Sequence, residues 1–174
     1  MKVLFCRIGW CKNYDGFADD RPVNGGAFNK NHIGAEIHNF KDFNGKYYGF
    51  VEPGGSLHIE RLGCAESDES IEDVLVVFVA LKTKKERCSV IVGWYKHATI
   101  FRTLQKVPAE VMQKRTIKEI DVFNILADTQ NSVLLSEEDR KYPIDGMGQK
   151  NFWYADKPEY TAQTERIIKY IEEH

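Results

Sequence analysis

The run VLVVFVAL at positions 74–81 constrains the fold more than any other feature of the sequence. A continuous apolar run rich in β-branched residues is typical of a strand that is buried on both faces. Charged residues at 82–87 follow it, and the next apolar run is CSVIVGWY at 88–95. We therefore predict that 74–81 and 88–95 are adjacent antiparallel strands in the core of a sheet, joined by a charged turn.

Short apolar or aromatic runs bounded by turn residues predict the remaining strands. In the first of these runs, Cys6 alternates with apolar neighbours, so we interpret it as a core residue. Asn44-Gly45 is a strong signal for a two-residue hairpin turn between two of the runs. The predicted strands are 3–9, 40–43, 46–51, 56–61, 98–104, 115–126 and 152–154.

The clearest helix signal lies at residues 158–172, which we predict to be the longest helix. Asp156 is a suitable cap, and Pro158 suits the first turn. Its apolar residues recur at helical spacing, so one face should pack against the sheet. The residues that we expect to pack are Ile167, Ile168 and Ile171.

Together these elements predict an α+β fold: a small, strongly bent sheet or β-barrel with short peripheral helices and a C-terminal helix. Short helical turns are predicted at 31–36, with Asn31 as cap, and at 136–140. Residues 11–31 form a long polar loop, and such loops are often functional. We find no repeat or linker, so residues 1–174 are interpreted as one domain, which could be part of a longer protein.

Composition excludes several classes of protein. The 174 residues carry a formal net charge of −2, which rules out a histone-like polycation but not a local basic groove. No run approaches the roughly 18 apolar residues that cross a bilayer, and the first residues are a poor signal peptide, so we expect a cytoplasmic protein without a membrane partner. Four scattered cysteines form neither a disulfide framework nor a zinc motif, so no metal is expected.

Catalytic motifs are also missing from the sequence. It contains no glycine-rich phosphate loop, no Gly-x-Ser-x-Gly elbow and no His-Glu-x-x-His. We therefore expect no cofactor and no catalytic residue, with any nuclease activity on another domain or subunit. One enzymatic alternative stays open, namely a small hydrolase or transferase with an unfamiliar site built from Cys11, His32 and Asp15.

The tryptophans are more informative than the polar residues. Trp10 and Trp94 each follow a glycine where a predicted strand ends, and Trp153 lies in the short aromatic strand. A single tryptophan is most often a core residue. Three at strand ends, followed by polar residues, suit an aromatic pocket at the rim of a sheet. The candidate cage residues are Trp10, Trp94, Tyr95 and Trp153.

Positive side chains accompany these aromatic positions despite the negative net charge. Lys150 precedes Trp153, and others lie in the long loop or beside the Trp94 strand. Positive side chains at these positions are compatible with an ordinary mixed surface. They are also the side chains that contacts to phosphate would require. The candidate contacts to a base edge or to the backbone are Phe28, Asn29, Lys30, Lys12, Lys96 and Arg102.

Five sequence blocks carry a resemblance to known proteins. KVLFCRIGW, GGAFNKNHIGAEIHNF, YYGFV, VIVGWYKHATIFR and GMGQKNFWYAD together resemble an N-terminal module of prokaryotic modification-dependent restriction and phage-defence proteins. The order of elements also resembles the PUA superfamily, specifically its EVE and YTH domains. The likeness to the module covers roughly residues 1–173.

The resemblance implies a small β-barrel whose aromatic cage receives a flipped, modified base. By that likeness Trp10 and Trp94 would be cage walls, while Asn29 and Lys30 would contact the base edge or the backbone. Many of those domains have Lys-Ser after the first strand, where this chain has Ile8-Gly9. The identity of the base therefore does not carry over.

The leading hypothesis is a DNA-binding module whose partner is double-stranded DNA that carries a modified base. It would act as the specificity domain of a restriction or antiviral defence system, with a nuclease or motor in the same protein or system. The alternatives are an RNA-binding PUA-like domain that reads a modified RNA base, the small enzyme described above, and a protein–protein module whose tryptophans are core.

Overall fold

The computed structural model describes residues 1–24, 32–83 and 88–174. These residues form one mixed sheet in the order β2-β5-β4-β3-β1-β8, with β6 and β7 paired to β4. The fold is therefore α+β, as the sequence predicts. The strands are β1 Lys2–Arg7, β2 Lys46–Gly49, β3 Ser70–Ala80, β4 Ser89–Lys106, β5 Val122–Asp128, β6 Ser132–Leu134, β7 Pro143–Ile144 and β8 Phe152–Trp153, and the α-helices are α1 Ala109–Lys114 and α2 Thr161–Glu172.

The predicted central pair is confirmed, because β3 and β4 are adjacent and antiparallel. Their continuous apolar runs are buried because β1 lies parallel to β3 on its far side, while both sheet faces are covered. β4 merges the two predicted strands 88–95 and 98–104 into one strand of 18 residues. Irregular pairing between β3 and β4 lets this long strand change direction without a loop.

Side chains from the sheet alternate between two apolar clusters, one on each face. The first contains Cys6 and Tyr95, and the second contains Trp94 together with Ile167 and Ile171 of α2. The burial of Cys6 and the helix α2, which follows a 3-10 turn at Pro158–Tyr160, confirm two predictions. Within the part of the chain that the structure describes, no helix is long and apolar enough to cross a membrane.

The barrel alternative is wrong, because the sheet is not closed. β2 and β8 lie at its two ends, and no described strand joins them. The Asn44-Gly45 turn does form, with Asn44 and Gly45 both at positive φ and with Phe43 and Lys46 hydrogen-bonded across it. Residues 40–43 are nevertheless not a strand, because β2 pairs with β5 instead.

Three other predicted segments differ from the structure. Residues 56–61 contain the start of a 3-10 turn at Ile59–Leu62, whose spacing of three buries both ends, and not a strand. Residues 115–121 precede β5 rather than belonging to it. The turn predicted at 31–36 lies at Ala35–His38, and 136–140 forms turns without a helix; Asn31 lies outside the described residues.

Candidate functional site

Trp94 is a core residue on the helix-covered face of the sheet. Its side chain is 0% exposed, and its ring lies 6.2 Å from that of Tyr170 and 5.8 Å from that of His174. It does not lie at a strand end, because Gly93 and Trp94 are in the middle of β4. The glycine is needed there, since a Cβ would lie 2.5 Å from the carbonyl oxygen of Val133.

Tyr95 and Trp10 belong to the cluster on the opposite face. Tyr95 is 0% exposed, and its hydroxyl donates a hydrogen bond to the carbonyl of Asn39. Trp10 is 7% exposed and donates from Nε1 to Glu137 Oε1 at 3.1 Å. The guanidinium of Arg140 lies 4.9 Å from the Trp10 ring. These contacts fix Trp10 within the protein.

The structure does not bring the two predicted cage walls together. Trp10 and Trp94 lie in different apolar clusters, on opposite faces of the sheet. They are therefore not two walls of one pocket. Of the four predicted cage residues, Trp153 lines a cleft that the structure describes.

The predicted contact residues are equally dispersed. Lys12 is exposed near Trp10, and Lys96 is partly buried beside α2. Arg102 is held internally, since it pairs with Glu60 at 2.6 Å and donates to the carbonyl of Asp68 at 2.8 Å. Its side chain is thus occupied rather than free for a phosphate. Phe28, Asn29 and Lys30 lie outside the described residues.

The Glu60 carboxylate reflects the same pairing. The hydrogen bond from Arg102 lowers the pKa of Glu60 to about 2, and a hydrogen bond with His58 acts in the same direction. Glu60 is therefore ionised at neutral pH and keeps Arg102 in place. This pair fastens the turn Ile59–Leu62 to β4.

The enzymatic alternative loses its nucleophile. Cys11 is buried, and desolvation raises the pKa of its thiol, with the charges of Asp20 and Glu36 adding to the effect. A neutral, buried thiol does not attack a substrate. Cys11 is therefore not an activated nucleophile for a site that also contains His32 and Asp15.

A cleft of about 410 Å³ lies along the edge strand β8. β8 pairs with β1 on one side, and no described strand pairs with its other side. The Trp153 ring packs between Phe5, 5.2 Å away, and Tyr160, 4.6 Å away and nearly perpendicular. Phe152 and Tyr154 point to the opposite face of the sheet from Trp153, where they pack against the cluster that contains Cys6 and Tyr95. The cleft is lined by Pro53, Gly54, Arg61, Lys150, Asn151, Phe152, Trp153, Tyr154, Asp156, Lys157 and Tyr160.

Arg61 organises the centre of this cleft. It donates to both carboxylate oxygens of Asp156, at 2.9 and 2.6 Å, and its guanidinium lies 4.4 Å from the Tyr154 ring. The hydrogen bond from Arg61 lowers the pKa of Asp156. The pair is therefore ionised at neutral pH, and its two charges compensate each other.

Two lysines give the β8 cleft its positive charge. Lys150 and Lys157 are exposed, and neither forms an ion pair with a described residue. Since Arg61 already compensates Asp156, the cleft retains the charge of both lysines. In this cleft the aromatic ring of a ligand can stack on aromatic side chains, while a phosphate of the same ligand contacts the lysines.

A second cleft of about 630 Å³ adjoins the first. Arg61, Tyr154 and Asp156 line both, so the ion pair stands where the two meet. The sequence pattern indicates Lys150 and the strand of Trp153 but neither Arg61 nor Lys157. Arg61 lies 95 residues from Asp156, and no local pattern reveals such a pairing.

Comparisons of the chain with protein-family models, with curated proteins and with solved structures each found no match.

Proposed function

We propose that this chain is a DNA-binding module that recognises a modified, flipped base in the cleft beside β8. It would serve as the specificity domain of a restriction or defence system and belong to the PUA superfamily, as the sequence resemblance implies. The observation that carries the proposal is the meeting of four aromatic side chains with two uncompensated lysines in one cleft at an open sheet edge. The base would enter this cleft rather than a cage of Trp10 and Trp94.

The energetics allow such a role. Flipping a base out of a duplex costs a few kcal/mol of pairing and stacking. Stacking on aromatic side chains returns about 1–3 kcal/mol per base. Phe152 and Tyr160 are partly buried and can offer a ring surface, while Trp153 is 4% exposed and supports Tyr160 from below. Stacking on Tyr160, which packs on the same side of β8 as Trp153, could thus offset the flipping cost.

Tyr160→Ala is expected to abolish the preference for modified DNA while the protein stays folded. The ring is only partly buried, so its loss removes a stacking surface of about 1–3 kcal/mol, or roughly 5- to 150-fold in affinity for the modified duplex. The measurement is fluorescence anisotropy with duplexes that carry 5-methylcytosine, 5-hydroxymethylcytosine or N6-methyladenine, each against the unmodified duplex.

Phe17→Ala is the matched control, because Phe17 is an exposed ring outside the cleft. It should leave both affinities unchanged. If wild-type protein shows no preference among the duplexes, or if Tyr160→Ala retains it, the proposed reading site is wrong. Preferential binding of a modified single-stranded RNA in the same assay would favour the RNA-reading alternative.

Lys150 and Lys157 are expected to act on all sequences alike. Each phosphate contact contributes about 0.9 to the slope of log affinity against log salt concentration on duplex DNA. The double variant Lys150→Gln, Lys157→Gln should therefore weaken modified and unmodified duplexes together and flatten that slope by up to about 2. Affinities measured over a salt series test this.

Lys141→Gln provides the control for this pair. Lys141 is exposed and does not line the cleft. Its replacement should leave the slope unchanged. A double variant that lost only the preference for the modified base, with an unchanged slope, would contradict this division of roles.

A further inference from the structure

A second constellation lies on the helix-covered side of the sheet, where β3 and β4 pair irregularly. Asp73 and His97 face each other across the two strands, and both have left-handed backbone conformations, with φ of 59° and 55°. The pairing register shifts between Ile71 and Val74 and again between Val74 and Val76, so each strand bulges here. His97 Nδ1 lies 2.6 Å from Asp73 Oδ1.

Stability alone does not account for this arrangement. A left-handed conformation is unfavourable for residues other than glycine, although aspartate and histidine tolerate it better than most. The side chains of both residues are largely exposed, at 67% for His97 and 73% for Asp73, and ion pairs this exposed contribute little. The hydrogen bond between the two bulged residues does, however, orient the imidazole, and bulges of this kind often re-aim side chains at functional sites.

The imidazole borders a cleft of about 460 Å³ between the sheet and α2. Leu75, Ile168 and Ile171 supply an apolar floor. Lys96, next to His97, is partly buried on the wall of the cleft and has neither an ion pair nor a hydrogen bond to any described residue. A partly buried lysine beside an apolar floor, without a partner, is a place where an anionic group would be stabilised.

Other charges surround the cleft. Asp73 accepts from His97, and this hydrogen bond is the main reason that the pKa of Asp73 is lowered, with Lys2 contributing. Glu172 of α2 lines the rim but forms no ion pair with Lys96. Asp73 is thus engaged by His97. Met1, whose amino group also contributes to lowering the pKa of Asp73, lines the cleft together with Lys96.

We propose that this cleft binds a small amphipathic anion: a carboxylate or phosphate held by Lys96 and by Nε2–H of His97, with an apolar body on Leu75, Ile168 and Ile171. Asp73 acts as a positioning residue, because its carboxylate accepts from Nδ1 and so directs Nε2 toward the ligand. The cleft shares no lining residue with the cleft beside β8, so this proposal stands apart from the nucleic-acid function.

The test is titration of the full chain with octanoate and with octyl phosphate, followed by calorimetry and by NMR shifts of residues around the cleft. Both probes should bind at one site, whereas octanol and octylamine should bind at least tenfold more weakly or not at all. Lys96→Gln should weaken octanoate about tenfold, the effect of losing one charge-assisted hydrogen bond. Lys96→Arg should restore much of the affinity.

His97→Gln should weaken octanoate binding about tenfold, because it removes the imidazole N–H that the proposal places against the anionic group. Lys141→Gln is the control and should leave binding unchanged. The proposal is overturned if octanoate shows no saturable binding below its micelle concentration, if octanol binds equally well, or if Lys96→Gln has no effect. Octanoate should also leave DNA affinity unchanged, which keeps the two sites distinguishable.

Discussion

Replacing Trp94 with alanine is expected to lower the free energy of unfolding by about 3–5 kcal/mol. The indole is 0% exposed and packs beneath α2 against Tyr170 and His174. Truncation would leave a large cavity under the helix, which cannot collapse without moving α2 from the sheet. The loss equals a large part of the stability of an ordinary domain of this size.

Urea denaturation followed by circular dichroism measures this loss. Phe17→Ala serves as the control, because that ring is 50% exposed and its removal should change the free energy of unfolding by roughly 0.5 kcal/mol or less. If Trp94→Ala instead retained full stability and lost only the preference for a modified base, Trp94 would be a cage wall after all, and the placement of the reading site beside β8 would be wrong.

The strands of the core could be predicted from the sequence because the apolar patterns that indicate burial lie within short segments. VLVVFVAL, its charged turn and the helical spacing of the isoleucines in α2 each identify an element without knowledge of its neighbours. The face on which each tryptophan lies could not be predicted this way. Phe78 pairs with Gly93 but Val79 pairs with Ile91, so an irregularity in β4 puts Ile91 and Trp94 on one face, three residues apart. Such a shift breaks the alternation on which the prediction depends.

The candidate site was only partly predictable for a different reason. Phe152, Trp153 and Lys150 are close in sequence and form a recognisable aromatic and basic segment. The cleft is also lined by Arg61, which lies in the 3-10 turn Ile59–Leu62. The alternation of Leu57 and Ile59 led to the prediction of a strand at this position. The position of Arg61 in the cleft depends on a tertiary contact, because its ion pair with Asp156 joins the turn at Ile59–Leu62 to the segment that follows β8.

Lowering the pH from 7 to 5 is expected to destabilise the protein by about 2 kcal/mol through His38 alone. His38 is 0% exposed, and neither ring nitrogen has a hydrogen-bond partner in the described part of the chain. Desolvation lowers its pKa from 6.5 to about 3, and the charges of Arg115 and Lys41 act in the same direction. The His38 side chain is therefore protonated below about pH 6.5 in the unfolded chain, but only below about pH 3 in the folded protein.

The sign of the effect follows from this difference in bound protons. Between those two pKa values the unfolded state holds more protons, so the free energy of unfolding falls as the pH falls, by up to about 1.4 kcal/mol per pH unit. The carboxylates with lowered pKa, Glu60 and Asp156 among them, lose their contribution only below their unfolded values of 4.5 and 3.8. The interval from pH 7 to 5 thus separates the contribution of His38 from those of these carboxylates.

His38→Leu should flatten the pH dependence of stability over this interval, because the substitution removes the titrating group from both the folded and the unfolded state. Urea denaturation at a series of pH values gives the slope, which is independent of any constant change in packing that leucine causes. Phe17→Ala is the control, since Phe17 carries no titrating group and its exposed ring can be removed without touching His38, so the slope should stay in place. An equal slope in His38→Leu and in the wild type would mean that His38 is hydrated or paired in solution, because only a desolvated, unpartnered imidazole resists protonation so strongly.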